Sequence, residues 1–247
     1  MSQTHPPTGQ PQREPQPLDL RERGAGDAAS DRRLFVQFHA WTDCYDSAVL
    51  AETLLTAGLR GALYEDLNDP AGVGVVAFSE SPGDFLGPIR KTLQADPFVR
   101  LTPRPEMTMF GRTYAVGYER DLDEALIDKP VGRLLDPDAP WCVWYPLRRN
   151  AAFNRLPDER RKAMLKEHGS IGFRFGAAGA AFDVRLACHG LDAADNDFVI
   201  GLLGPQLAPL SKLVEAMRAT EQTAEWLDRL GPFFVGRKSW QSGDPDA

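Results

Sequence analysis

Between residues 34 and 120, and again between 141 and 240, β-type runs alternate with amphipathic helical runs in the same order. A chain patterned in this way has few compact folds open to it. The first stretch opens with Leu34–Trp41, LFVQFHAW, rich in β-branched and aromatic residues, in which Phe35, Gln37 and His39 share one face. A helix follows over Ser47–Ala57, capped by Asp46 or Ser47, with Leu50, Leu54 and Leu55 on one side and Gly58 closing it. Leu59–Leu67 reads as extended, Asn68–Gly72 as a turn, Val73–Phe78 as a strand, Gly83–Leu93 as a helix and Thr108–Glu119 as a returning strand. The second stretch gives a strand over Trp141–Pro146, a helix over Pro157–Glu167 and paired strands at Val184–His189 and Phe198–Leu203. A helix over Leu210–Trp226 and a last strand at Pro232–Val235 complete it. The expectation is an α+β chain of two ferredoxin-like β-α-β-β-α-β halves. Residues 121–140, rich in Asp and Pro, read as a connector, and residues 1–33, nearly free of large apolar side chains, as a disordered tail.

The remaining composition excludes more than it selects. A net charge of −7 argues against a nucleic-acid partner, which calls for a basic patch. Cys44, Cys142 and Cys188 have no metal-site spacing and leave one unpaired, which suits a reducing compartment. No apolar run approaches the ~20 residues that span a bilayer, and the N-terminus lacks the apolar core of a signal peptide. The expected protein is cytoplasmic, with no membrane or nucleic-acid partner. The acidic run 192–197, DAADND, reads as a tight hairpin, since it lacks the ligand series of a calcium loop.

Two polar residues interrupt apolar faces in the second stretch. Pro157, Asp158 and Glu159 suit the first turn of the helix ahead of His168, and Gly169 reads as its stop. Met164 and Leu165 lie four and three residues before His168, so the imidazole points inward with them. On the other helix Leu210, Leu213, Val214, Met217 and Ala224 form an apolar face with Glu221 at its middle. A buried carboxylate must be paired, and the two helices of a ferredoxin-like half pack side by side, so His168 and Glu221 can meet. An imidazole backed by a carboxylate suits a metal ligand, and it equally suits a structural hydrogen bond between helices. The strand 183–189 carries Arg185, Ala187 and His189 on one face, with a guanidinium able to hold an anion.

The segments WYPLRRN (144–150), LPDERRKAMLKEHG (156–169), RLACHGLDAADNDFV (185–199), MRATEQTAEW (217–226) and LGPFFVG (230–236) resemble the chlorite dismutase and coproheme decarboxylase superfamily of haem proteins. GRTYAVGYE (111–119) extends the likeness more loosely. The resemblance implies a dimeric α+β barrel with haem in the C-terminal half and a homo-oligomer, often a pentamer. It implies His168 as the iron ligand, Glu221 as the acceptor of its other N–H, and Arg148 on a haem propionate. Arg133, Arg112 and Tyr114 are weaker candidates for the same rim. Two positions bear on activity. Tyr145 matches the tyrosine that forms a radical in coproheme decarboxylases, and Arg185 looks like the distal arginine of chlorite dismutases, with Asp183 the alternative at that place. The implied cofactor is haem b, or iron coproporphyrin III as substrate, and the implied oxidant is chlorite or hydrogen peroxide. A haem-binding carrier or sensor without turnover is the remaining alternative.

Overall fold

The computed structural model describes residues 18–243. Strands β1 (Glu22–Arg23) and β2 (Ala29–Ser30) pair as a small antiparallel hairpin. The first half then runs β3 (Phe35–Thr42), α1 (Ser47–Thr56), β4 (Gly61–Asp66), β5 (Val73–Ser79), α2 (Pro88–Leu93), β6 (Thr102–Pro103) and β7 (Met109–Arg112). A π-helical turn, Glu124–Asp128, leads into α3 (Lys129–Leu134). The second half comprises β8 (Trp141–Arg149), α4 (Asp158–Ala177), β9 (Phe182–Ala187), β10 (Phe198–Gly204), α5 (Leu207–Arg218), α6 (Glu221–Trp226), β11 (Leu227–Leu230) and β12 (Phe234–Gln241).

In each half the first strand lies between the third and the last. β3 pairs with β5 and β7, and β8 pairs with β10 and β12. The halves join antiparallel through β4 with β12 and β7 with β9, which closes eight strands into a barrel. Closure removes the unpaired edges that an open sheet would expose. The chain is thus the expected α+β barrel of two ferredoxin-like halves.

Alternation along the strands separates the core into layers. Val36, Phe38 and Ala40 of β3, Cys142 and Trp144 of β8, Val184 and Leu186 of β9, and Phe234 of β12 fill the barrel. Phe38 stacks on Trp144 with ring centres 5.7 Å apart and meets Phe234 edge-on at 4.8 Å. Outside the barrel, α1 and α2 cover Leu63, Val73, Val75 and Ala77, and α4 and α5 cover Val143, Tyr145, Leu147 and Leu202. The three cysteines are free and buried. Among the described residues no helix is long and apolar enough to cross a membrane.

Several boundaries differ from expectation. Residues 1–17 of the expected disordered tail lie outside the described residues, whereas 18–33 hold the β1–β2 hairpin. Ala25 N bonds Glu119 O at 2.7 Å and anchors that hairpin to the body of the domain. The strand expected over Thr108–Glu119 ends at Arg112, because the N–H groups of Val116, Gly117 and Tyr118 turn onto the Glu119 carboxylate at 2.9, 2.9 and 3.1 Å. The connector 121–140 contains α3.

Helix α4 runs twenty residues, through Gly169, to Ala177. A mid-helix glycine costs about 1 kcal/mol but leaves the helical bonds intact. The stop is Gly179, at φ +66°, where Ala180 N reaches back to Phe175 O at 3.0 Å. The helix expected over Leu210–Trp226 is instead two. Thr220, extended at φ −72° and ψ 148°, separates α5 from α6.

Candidate functional site

The site is built on the outer face of the second half's sheet. Register across β9, β10 and β8 lays down three parallel rows: Asp183–Leu202–Val143, Arg185–Ile200–Tyr145 and Ala187–Phe198–Leu147. Because alternate residues share a face, the same parity that sends Val184 and Leu186 into the barrel brings Asp183 and Arg185 to the side covered by α4. Above this pavement α4 presents Met164, His168, Ile171 and Phe175. Met164 is buried, and Ile171 and Phe175 pack against the sheet, whereas Leu165 is turned outward.

Among the described residues His168 has one hydrogen-bond partner, and it is not Glu221. Its Nδ1 lies 3.2 Å from the Thr220 hydroxyl, and that hydroxyl lies 2.8 Å from the Met217 carbonyl. The Met217 carbonyl is nearer to this hydroxyl than the Thr223 hydroxyl, at 3.3 Å, and with the proton on that carbonyl the oxygen accepts from Nδ1–H and leaves the Nε2 lone pair available. Burial, reinforced by the Arg149 and Arg185 charges against the weaker opposing pull of Asp183, lowers the His168 pKa to about 4. The ring is therefore neutral near pH 7, the state in which imidazole ligates metals.

Glu221 sits one residue into α6, and its carboxylate accepts from Arg160 at 2.8 Å. The break at Thr220 shifts the helical phase on which its expected inward position rested. Arg148 is likewise elsewhere: it points away from the pavement and pairs with Asp195 at 2.8 Å, half-exposed. The cation on the His168 side is Arg149. Its guanidinium lies between the Phe153 ring, 4.7 Å away, and the Phe198 ring, 4.6 Å away. Its Nε is buried with no hydrogen-bond partner among the described residues. Burial lowers its pKa, yet a guanidinium keeps its charge.

The other expected residues fall in two groups. Arg185 and Tyr145 share a row with only Ile200 between them. Arg185 forms an ion pair with Asp183, Nε to Oδ2 at 3.0 Å, and Arg133 of α3 holds Asp183 from its far side, Nη1 to Oδ1 at 3.0 Å, while also bonding the Asp183 backbone carbonyl. Tyr145 stacks on Phe233 with centres 4.7 Å apart, and burial raises its pKa with Asp183 adding to the effect. Tyr114 packs on Phe198 at 5.6 Å, its pKa also raised by burial, with the charges of Arg185 and Arg149 opposing. Arg112, in contrast, is held by Glu22 of β1 at 2.5 Å. His189 is tethered to Asp197 at 3.3 Å at the end of β9.

Two residues at the site went unread in the sequence, and both had a signal. Tyr145, Leu147 and Arg149 have the same strand parity, so Arg149 rather than Arg148 belongs beside Tyr145. A threonine directly before an acidic residue, Thr220–Glu221, marks a helix start within a run that reads as one helix.

Chemically, the site offers one neutral imidazole nitrogen, one half-buried cation whose Nε lacks an acceptor among the described residues, and an Asp–Arg pair on the facing strand. Among the described residues no three His, Cys, Asp or Glu side chains gather to hold a metal ion. A metal at His168 would therefore have to bring most of its ligands with it.

Comparisons with known proteins agree with this architecture. The fold is shared with a haem-binding protein from Thermus thermophilus, 20% identical, over 84% of this chain and 91% of that one, at a TM-score of 0.64. It is shared with a mutant chlorite dismutase from Candidatus Nitrospira defluvii, 16% identical, over 83% and 91%, at 0.64. The same organism's chlorite dismutase in complex with imidazole is 16% identical over 85% and 92%, at 0.63. No curated protein matches the chain. The family model described as chlorite dismutase matches residues 84–239, more than half of the sequence, and the chain belongs to the chlorite dismutase family.

Proposed function

We propose that the protein is a haem b oxidoreductase in which His168 binds the iron and a small oxidant, peroxide or chlorite, reacts on the sheet side. The observation that carries this reading is the bond from His168 Nδ1 to Thr220, which holds a neutral ring with its Nε2 lone pair free. The donor set fits the group. A porphyrin supplies four metal ligands and needs one from the protein, and a propionate would satisfy the buried, unpartnered Nε of the half-buried Arg149. Bound haem would supply the electrons for O–O or Cl–O cleavage. The chain's contribution is to fix the imidazole, anchor the porphyrin edge at Arg149 and keep the Arg185 guanidinium facing the ligand, where it steadies developing negative charge.

A second reading rests on Tyr145. It stands in the same row as Arg185, on the face that would meet the porphyrin, where an oxidisable phenol could act on propionates of iron coproporphyrin III. Two measurements separate the readings. Conversion of iron coproporphyrin to haem b with peroxide, abolished in Tyr145→Phe, makes the protein a decarboxylase. Oxygen release from chlorite, or peroxidase turnover, lost in Arg185→Ala makes it an oxidoreductase. Haem binding without either reaction leaves a carrier, and a haem spectrum unchanged in His168→Ala overturns all three.

A further inference from the structure

We propose that Glu22, on the N-terminal hairpin, is a positioning residue for this site: it holds Tyr114 as a wall beside Arg185, and that wall favours small ligands over bulky ones on the sheet side. The inference rests on the haem reading above and deepens it.

The strand that leads to Tyr114 stops short of it. The β7–β9 ladder is the single pair Arg112 and Ala187, and beyond Arg112 the N–H groups of Val116, Gly117 and Tyr118 turn onto Glu119. Continuing that register by two residues sets Tyr114 opposite Arg185, in the row that runs on to Ile200 and Tyr145. With no ladder bonds there, another tether must fix it.

Glu22 supplies that tether from outside both halves. One carboxylate oxygen accepts from Arg112 Nη1 at 2.5 Å and the other from Ala115 N at 3.0 Å, so the two bonds grip the chain on either side of Tyr114. Both are charge-assisted, and the Glu22 side chain is only 13% exposed, which shields them from solvent. The hairpin itself is anchored. Ala25 N bonds Glu119 O at 2.7 Å, Arg32 pairs with Glu80 and Asp123 at 2.8 Å each, and Gly24 approaches Glu119 O so closely that a Cβ there would collide with it.

Held in this way, the Tyr114 ring reaches across Ala187, whose methyl leaves room for it, and packs on Phe198 at 5.6 Å. The Arg149 guanidinium lies 4.6 Å from the same Phe198 ring. Tyr114, Phe198 and Arg149 thus form one edge along the Arg185 row. A ligand beside Arg185 has this edge at its flank, and a ring that cannot swing excludes bulk there. Without Glu22 the segment is free to move and the ring with it.

Equilibrium binding of methyl isocyanide and tert-butyl isocyanide to the ferrous haem-loaded protein reads the wall without turnover. The two ligands share a donor atom and differ in bulk, so the ratio of their dissociation constants cancels any general weakening of the site. In Glu22→Ala the bulky ligand should gain on the small one about tenfold, within the range of coupling between linked residues. Tyr114→Ala should move the ratio at least as far, and Tyr114→Phe, which keeps the ring, should leave it unchanged. The double variant of Glu22→Ala with Tyr114→Ala should match Tyr114→Ala alone, because Glu22 acts through that ring. A ratio unmoved in Glu22→Ala, or a Glu22→Ala effect that persists in full without the Tyr114 ring, overturns the proposal. If Glu22→Ala does not load, Glu22→Gln supplies the same cycle: it removes the charge facing Arg112 and should move the ratio in the same direction, and no movement overturns the proposal. A chain that takes up no haem through His168 overturns the proposed function itself, whereas a loaded chain indifferent to Glu22 overturns only this inference.

Discussion

His168 and Thr220 are joined across the gap between two helices by a 3.2 Å bond from Nδ1 to Oγ1, and the break between α5 and α6 exists at the residue that makes it. With the hydroxyl's proton on the Met217 carbonyl, the shorter of its two bonds at 2.8 Å against 3.3 Å to Thr223, the contact favours the Nδ1–H tautomer of the ring.

Thr220→Val keeps the shape and removes the acceptor. Haem affinity should fall about 10- to 100-fold, the usual effect of losing the residue that orients a metal-bound histidine. Glu221→Gln should change it little, since that side chain is engaged with Arg160. Haem titration followed by the absorbance of the bound form checks both, and a larger effect at Glu221 than at Thr220 would reverse the assignment.

Acid should destabilise the fold through His168. With a folded pKa near 4 and an ordinary value of 6.5, the unfolded chain binds more protons than the folded one between those limits. Stability therefore rises with pH through that window and is lost as pH falls from about 6.5 towards 4. His39, whose pKa burial also lowers, acts with the same sign. Urea unfolding at pH 7.5 and 4.5 should show an acid loss smaller in His168→Gln than in the natural sequence. The expected difference is on the order of 2 kcal/mol after allowance for partial exposure.

The barrel was legible because strands obey a period of two with little ambiguity. The residues Val184 and Leu186 against Asp183 and Arg185 separate into core and site on sequence parity alone. Helix ends were not legible, because glycine ends a helix only where it takes a positive φ, and nothing in the sequence distinguishes Gly169 from Gly179 in that respect. The carboxylate assigned to His168 failed for a related reason. Counting along one helix places Glu221 inward, and a single extended residue, Thr220, resets the count.

Gly201 tests the barrel independently of the site. It lies opposite Trp144 in the β8–β10 ladder, and a Cβ there would meet the indole ring at 2.6–2.7 Å. Trp144 is fully buried against Phe38 and Phe234 and has no room to retreat. Gly201→Ala should cost about 2–3 kcal/mol by overpacking. In a chain of this size that lowers Tm by roughly 5–10 °C, measured by calorimetry. An unchanged Tm would mean that the indole is not packed against this strand.

Arg149 gives the sharpest separation of stability from binding. Without a ligand its guanidinium is half-buried between Phe153 and Phe198 with Nε buried and unpartnered, so replacing it by an apolar residue of similar length should leave the apo protein as stable or about 1 kcal/mol more so. With haem the same change removes the cation that a propionate needs. Arg149→Met should therefore weaken haem binding by roughly tenfold or more, the scale of a lost charge-assisted hydrogen bond, and should abolish any preference for haem over its dimethyl ester. Arg148→Met, on the opposite side of β8 and paired with Asp195 in solvent, should do neither. Denaturant unfolding of the apo forms and parallel titrations with haem and the ester measure the two effects. If both arginines behave alike, strand parity does not set the anchor.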